Sequence, residues 1–267
     1  MSAFTALSKE ALFDAIRRRI VAAVILLCLF SLMAIDGFTS CAGNVSLNGE
    51  DVQLAEMAGA TGAILFVALG LWIAVLAAIL ASDHLQQTLE DGSANLSLAR
   101  PVSRNTFALA RLTGALAVAL VTGAVLLGSA AGLLNLRSGL PLGPALIAGA
   151  HAGVAAFVCA TFAMTLSLWL PRLATMLTML GFIATMATAN LMSFVPREEP
   201  WTGSLALLDR LGPSLAKAPV AALASWMPFA DTGLDPVLSG AALWVWAVLG
   251  CVALWISFRR VELGCSR

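Results

Sequence analysis

Long apolar segments are the feature that most constrains what this chain can fold into. Six stretches lack internal Asp, Glu, Lys and Arg, apart from residues near their boundaries such as Asp36 and Arg111. A helix needs about 20 apolar residues to cross the hydrocarbon core of a bilayer. The chain is therefore predicted to cross a membrane six times, at approximately 20–37, 58–81, 110–135, 145–170, 174–195 and 240–258.

Composition excludes a water-soluble globular fold. Of 267 residues, 60% are hydrophobic and 11% are charged, whereas a soluble domain carries about 25% charged residues. The formal net charge is zero, so nothing indicates nucleic acid as a partner. We expect an all-α polytopic membrane protein, with residues 1–267 forming one transmembrane domain and with short interfacial helices in contact with lipid.

A tight turn is predicted between the fourth and fifth spans. Only Leu170, Pro171, Arg172 and Leu173 separate them, and proline does not continue a helix normally. One continuous helix of about 50 residues is far longer than a bilayer requires. Two separate spans are therefore preferred.

The distribution of Lys and Arg predicts the orientation, because basic residues concentrate on the cytoplasmic side. With the N-terminus inside, eleven of the fifteen basic residues lie on the inner side, and only Arg137, Arg197, Arg210 and Lys217 lie outside. Both termini are therefore predicted to be cytoplasmic, with the chain in the cell (inner or plasma) membrane.

Tryptophans and glycines suggest how the spans meet the membrane and one another. Trp201 and Trp226 fall in the last outer segment, 196–239, and are predicted to anchor at the membrane interface. Trp72 lies in the middle of a span and is predicted to pack against another helix. Two motifs predict close helix packing: Gly128 with Gly132, and Gly149 with Gly153.

The cytoplasmic segment 82–106, between the second and third spans, carries the most information about function. Leu85 and Leu89 are four residues apart and share a helical face. Gly92 follows and can end or bend that helix, and Pro101 disfavours helix at the residue before it. We expect short amphipathic helical pieces at the cytoplasmic surface.

This segment resembles the first cytoplasmic loop of ABC-2-type permeases. That loop carries a pattern close to E-x-G-T-x-x-x-L-x-x-x-P, followed by an aliphatic residue, Ser or Thr, and Arg. Here Ser93 replaces the usual Thr and keeps the hydroxyl. The layout is similar to that of the six-span permeases of nitrous-oxide-reductase maturation and sodium-export systems. The residues that the segment offers to this pattern are Glu90, Gly92, Ser93, Pro101, Val102, Ser103 and Arg104, with Leu96 and Leu98 on either side of the position at which the pattern has Leu.

The resemblance implies that the segment is a coupling loop, which docks on a separate ABC ATPase (nucleotide-binding) subunit and passes ATP-driven closure to the spans. ATP and Mg would bind to that partner, and a second permease copy or a homologue would complete a dimer. An ordinary solvated loop is the alternative. The residues assigned to the partner contact are Leu85, Leu89, Glu90, Gly92, Leu96, Pro101 and Arg104.

The N-terminal segment 1–19 has the pattern of an interfacial helix. Phe4, Leu7, Leu12 and Ile16 recur every three to five residues, and basic residues accompany them. The resemblance implies a connecting helix that also touches the ATPase. A simple topology signal explains the same pattern equally well.

Motifs for chemistry are missing from the sequence. The only lysines, Lys9 and Lys217, do not follow the glycine pattern of a Walker A motif, and G-x-S-x-G and H-E-x-x-H do not occur. With two histidines, a histidine-based metal cluster is nearly excluded. No catalytic, cofactor-binding or metal residue is assigned, so the chain is not expected to be an enzyme.

The function best supported is the permease subunit of an ATP-driven ABC exporter, with an unidentified substrate. Two alternatives stay open: a membrane anchor or assembly subunit without transport activity, and a stand-alone channel or secondary carrier. Secondary carriers generally need ionisable groups within the spans, and His151 is the only such group. The outer segment 196–239 is either an external gate or an amphipathic cap.

Overall fold

The fold was analysed in a computed structural model. It describes residues 3–17, 26, 29–30, 33, 37, 46–47, 50–51, 54–90, 104–192, 203–226 and 235–260.

Helices account for nearly all of the described chain. A single-turn 3-10 helix, Ala224–Trp226, follows the seventh α-helix. Ser46–Leu47 (β1) and Glu50–Asp51 (β2) form a minimal antiparallel pair, with Ser46 opposite Asp51. The α-helices are α1 Ala3–Arg17, α2 Leu54–Glu90, α3 Arg104–Ser138, α4 Leu142–Leu166, α5 Arg172–Met192, α6 Ser204–Leu211, α7 Lys217–Ala222 and α8 Pro236–Arg260.

Five of these helices are long and apolar enough to cross a membrane. They are α2, α3, α4, α5 and α8, and they correspond to the last five predicted spans. The first predicted span, 20–37, lies outside the described residues except at five isolated helical positions between Leu26 and Gly37. The described part of the chain is thus helical apart from the short strand pair, and it has the features of a multi-pass membrane protein.

Helices α2 and α4 form the centre of the bundle and share its most extensive contact. Helix α3 packs against both, α5 packs mainly on α2, and α8 packs mainly on α4. The central helices bury mostly small side chains, which allow backbones to approach closely in a membrane. On α4 the buried apolar residues are Ala145, Ala148, Ala152, Ala155, Ala156, Val158, Cys159, Ala160, Ala163 and Met164.

The glycines that permit close helix contact differ from those predicted. A Cβ added at Gly70 of α2 would lie 3.1 Å from the Cβ of Ala152 on α4. A Cβ at Gly128 or Gly132 would meet nothing within 4 Å, and one at Gly149 would come no nearer than 3.9 Å to another residue. The prediction of close packing is therefore wrong for Gly128 and Gly132 within this chain, whereas a Cβ at Gly153 would lie 3.4 Å from Leu120 of α3.

Short connections set the antiparallel order of the spans. Helix α3 ends at Gly139, whose left-handed φ of 68° lets its N–H bond the Asn135 carbonyl at 2.9 Å. The Asn135 side chain donates to the Leu140 carbonyl at 2.7 Å and closes the turn. Between α4 and α5, residues 167–171 form the tight turn predicted around Pro171, which immediately precedes the first residue of α5.

The helix bundle has two ends, the Arg172 end and the Trp226 end. The Arg172 end contains the turn at 167–171, the C-terminal part of α2 and the N-terminal part of α3. The Trp226 end contains the start of α2, the turn at 139–141, and α6, α7 and the 3-10 helix.

Gly59 provides a test of the packing at the Trp226 end. A Cβ at this position would lie 2.0 Å from the backbone oxygen of Trp226. Gly59→Ala is therefore expected to lower the free energy of unfolding by about 1–3 kcal/mol through overpacking.

Gly128→Ala is the matched control, because the space around Gly128 is open. It should leave stability unchanged or raise it slightly, since alanine is the better helix former. The midpoint of thermal unfolding in detergent, followed by size-exclusion chromatography, measures both variants. Equal midpoints for the two variants would contradict the contact.

Candidate functional site

An ion pair at the Arg172 end joins α2 to α5. The Nη2 of Arg172 donates to Oδ2 of Asp83 at 2.8 Å, and its Nε contacts the other carboxylate oxygen. The Asp83 side chain is only 3% exposed, whereas that of Arg172 is 56% exposed. A two-point contact of this kind fixes the relative orientation of the two groups. The carboxylate is therefore held inside the bundle by an arginine that reaches it from the surface.

A second charged contact at the same end joins α3 to α1. Arg111, on α3, is buried, and its Nη2 lies 3.6 Å from Oε1 of Glu10. Its guanidinium carbon also lies 5.5 Å from the centre of the Phe107 ring, within the range of a cation–π contact. Two residues earlier on α1, the hydroxyl of Ser8 lies 3.2 Å from that of Thr113 on α3. These contacts hold α1 along the N-terminal part of α3.

The predicted coupling residues are divided between the two helices that leave this end. Leu85, Leu89 and Glu90 lie on the last two turns of α2, and Arg104 is the first residue of α3. Gly92, Leu96 and Pro101 lie outside the described residues, as do the other motif residues Ser93, Leu98, Val102 and Ser103.

Helix α2 is longer than the sequence predicted. Its 37 residues continue without a break to Glu90 and span about 55 Å, against about 30 Å of hydrocarbon. Leu85 and Leu89 therefore belong to the spanning helix and do not form a separate short helix. The backbone stays helical without a break from residue 82 to residue 90, so the helix continues beyond the end of the apolar stretch that defined the predicted span.

The opposite, Trp226 end is closed by a structured cap, formed by α6, α7 and the 3-10 helix. Trp226 is 1% exposed, its indole N–H donates to the Pro141 carbonyl at 3.1 Å, and its ring meets Phe66 edge to face at 6.0 Å. Trp226 therefore joins the cap to α2 and to the start of α4. The prediction that it anchors at the membrane interface is wrong, and Trp72, expected to pack, is instead 51% exposed.

A polar network ties the cap to the end of α5. Asn190 is fully buried, and its carbonyl accepts a hydrogen bond from the backbone N–H of Ala216 at 3.1 Å. Its amide donates to Asp209 at 3.3 Å, and Lys217 pairs with the other oxygen of Asp209 at 2.5 Å. The side-chain amide thus satisfies groups on both sides of the α6–α7 connection.

His151 lies at a three-helix junction of α4, α7 and α8. Its Nδ1 is 3.1 Å from the Ala218 carbonyl. A Cβ added at Gly240 of α8 would lie 2.9 Å from Nε2. The half-buried imidazole therefore supports the cap, and these contacts account for its position.

Two further contacts hold α8 to the cap. The Ser214 hydroxyl donates to the Ser239 carbonyl at 2.6 Å, and the Trp246 indole donates to the Leu211 carbonyl at 3.1 Å. The segment predicted as an external gate or an amphipathic cap is therefore bonded to α4, α5 and α8 over its described residues.

The glycine motifs line an apolar groove between α3 and α4, with a cavity volume of about 340 Å³. Gly123, Gly128, Gly149 and Gly153 lie along it, and Phe66 of α2 contributes to its lining. Because glycine has no side chain, these positions leave an open groove on the surface, where the sequence predicted tight contact between helices.

Hydroxyl groups within the spans bond mostly to their own helix. Thr161 donates to Val158, Thr165 to Thr161, and Thr185 to Gly181, at 2.7–2.8 Å in each case. A hydroxyl that bonds the preceding turn is satisfied locally. In the part of the chain that the structure describes, no group of three His, Cys, Asp or Glu residues is placed to hold a metal ion.

Several residues that organise the two ends were not identified from the sequence. The sequence places Arg111 at the boundary of the third predicted span, whereas in the structure it is buried and lies seven residues after the start of α3. Asp83 directly follows a long apolar run, and Asn190 is an amide among apolar residues. Polar groups are costly within a membrane and usually have partners there, so their positions carried a signal. The sequence does not show which partner each one has.

No protein-family model matches the chain, and no curated protein matches it. Function is therefore inferred from the fold and from the two ends of the bundle.

The amide of Asn190 is expected to control local opening of the cap. Asn190→Ala leaves the Ala216 N–H without its acceptor, at a cost of about 1–3 kcal/mol. Trypsin cleavage after the exposed Arg210 should therefore become at least about fivefold faster under native conditions, because cleavage follows the open population.

Thr188→Ala is the matched control, two residues away on the exposed side of α5. Thr188 is exposed, and its hydroxyl bonds only the Ala184 carbonyl of its own helix, at 2.8 Å. This variant should be cleaved at the wild-type rate. If Asn190→Ala were also cleaved at that rate, the network would not hold the cap.

Proposed function

We propose that the chain is the membrane-spanning permease subunit of an ATP-driven exporter of the ABC-2 type, and that a separate ATPase subunit docks at the Arg172 end. The unbroken extension of α2 from the spanning region to Glu90 is the observation that carries the proposal. A rigid helix that projects from the bundle can pass a displacement of its tip to the spans. A flexible loop would absorb that displacement.

The position of α1 supports the same end as the docking site. Helix α1 packs on α3 close to where the 82–106 segment returns to the bundle. Its Lys9 and Phe13 are exposed and lie 5.9 Å apart, measured from Nζ to the ring centre. A partner that binds the coupling loop would therefore also reach α1. Leu85, Leu89 and Glu90 on α2 and Arg104 on α3 are its proposed contacts.

The proposal includes an orientation and an assembly. The Arg172 end carries Arg104, Arg111, Arg172, Arg259 and Arg260, and it is taken as cytoplasmic by the basic-residue rule. The cap then faces outside, and the chain resides in the cell membrane. Two permease chains with two ATPase subunits form the working unit, since half-transporters act in pairs.

A stand-alone carrier is less well supported. Its substrate path needs polar groups that face a common space. The hydroxyls of Thr161, Thr165 and Thr185 instead bond their own helices. The groove between α3 and α4 is lined almost entirely by apolar residues. These observations favour a subunit driven by a partner.

Co-purification tests the proposal. The tagged chain, extracted gently from its native membrane, is expected to bring down an ABC-type ATPase. Leu89→Asp combined with Glu90→Arg should abolish that association, because it removes an apolar anchor and inverts a charge at the proposed interface.

The matched control places similar changes at the opposite end of the bundle. Arg210→Glu combined with Leu211→Asp alters an exposed basic residue and an exposed leucine of the cap. This variant should retain the ATPase. Absence of an ATPase from the wild-type preparation would favour the anchor or the stand-alone carrier, and loss in both variants would place the interface elsewhere.

Reporter fusions test the orientation independently. Green fluorescent protein fused to either terminus should fluoresce, and alkaline phosphatase inserted at Gly203, in the exposed start of the cap, should be active. Phosphatase is active only after export, so its activity locates the cap outside. The reverse pattern would place the Arg172 end outside and remove the ATPase from reach.

A further inference from the structure

We propose that the Asp83–Arg172 pair is the linkage through which the coupling loop moves α5, and that α5 carries this motion to the cap. The inference rests on the proposed function, because the ATPase supplies the displacement. It assigns a positioning role to two residues outside the coupling motif.

The first step is the transmission of force along α2 from the coupling loop to Asp83. Asp83 lies seven residues before the end of α2 at Glu90, a distance of about 10 Å along the helix. A force applied to the last turns of α2 therefore reaches Asp83 through continuous helix. The buried carboxylate cannot be released without a large desolvation cost, so the pair tends to move as a unit.

The second step is the connection that α5 makes between Arg172 and the cap. Arg172 is the first residue of α5, and Asn190 lies near its other end. The 21 residues of α5 extend about 30 Å. Asn190 bonds the cap through Ala216 and Asp209. The same helix is therefore fastened to α2 by a charge pair at one end and to the cap by an amide at the other.

The third step is the freedom of α5 to move. In the most apolar stretch of α5, 39% of the residues are buried inside the bundle, against 61% in the corresponding stretch of α2. A groove with a volume of about 110 Å³, open on its outer side, runs between the two helices and is lined by Val75 and Ile79 of α2 and by Met176 and Ile183 of α5. An interface with an open groove along it leaves space for a small sliding movement of one helix against the other. The ionic and amide contacts at its ends would then set how α5 moves.

A distance measurement across the cap tests the linkage. Spin labels are placed at Leu207→Cys on α6 and Leu238→Cys on α8, both exposed, in a chain whose native cysteines are replaced. The complex with its ATPase is reconstituted in lipid nanodiscs, and the distance distribution is recorded without nucleotide and with ATP plus vanadate. In the unmodified linkage, trapping the nucleotide should shift the distribution.

Arg172→Gln should reduce the nucleotide-dependent population shift about fivefold or more, the lower range of typical coupling between sites. ATPase co-purification should be retained. Arg172→Lys keeps the charge and should restore much of the shift. Arg259→Gln is the matched control at the same end: Arg259 stacks on Trp255 at 4.1 Å and lies on α8. That variant should respond like the wild type.

Each other outcome has a definite meaning. A full shift in Arg172→Gln, or no shift in a wild-type complex that holds its ATPase, overturns the linkage and leaves the proposed function standing. Absence of any ATPase overturns both. If Arg172→Gln does not fold, Asp83→Asn removes the charge from the other side of the pair while keeping the size of the side chain. An unchanged shift in that variant then overturns the linkage.

Discussion

The close approach of α2 and α4 is the contact on which the rest of the bundle depends. In a bilayer, burial of apolar side chains between helices gains little, since lipid is equally apolar, so packing has to come from shape. The alanine-rich face of α4 and the contact between Gly70 and Ala152 provide it. Helices α3, α5 and α8 are arranged around this pair. Their outer surfaces display large apolar side chains such as Val125, Leu177 and Val248, as expected for contact with lipid.

Charged and strongly polar groups are concentrated at the two ends of this apolar centre. Among the residues that the structure describes, the Arg172 end holds two contacts between charged side chains, which fasten α5 to α2 and α1 to α3. The Trp226 end holds an amide-centred network together with indole and hydroxyl bonds to backbone carbonyls. This division follows from the high cost of unpaired polar groups in hydrocarbon. It gives each end a specific set of polar connections and leaves the middle held by apolar packing.

Much of the fold could be predicted from the sequence, because long apolar runs have few structural solutions. Five spans and the turn at Pro171 follow from hydropathy and from proline geometry alone. Contacts between elements were not accessible in the same way. Periodicity places two glycines on one helix face, but it does not show whether another helix covers that face. Gly128 proved uncovered, whereas Gly70, outside both motifs, makes the close contact.

The sequence and the structure contribute different parts of the candidate site. The segment 82–106 resembles a coupling loop, and the structure adds that α2 reaches Glu90 as one helix. The pairing of Asp83 with Arg172 joins residues 89 positions apart in the chain. No local pattern encodes such a partner. The burial of Trp226 could not be predicted from the sequence either, because the residues that pack against it come from α2 and from the turn before α4.

Native mass spectrometry of the complex released from lipid nanodiscs tests the central claim most directly, because it reports partner and stoichiometry in one measurement. The account predicts an assembly that contains two copies of this 27.6 kDa chain, or one copy with a homologous permease, together with two ATPase subunits that bind ATP and Mg. Release of the chain alone, or of a permease dimer without nucleotide-binding subunits under the mildest conditions, would contradict it.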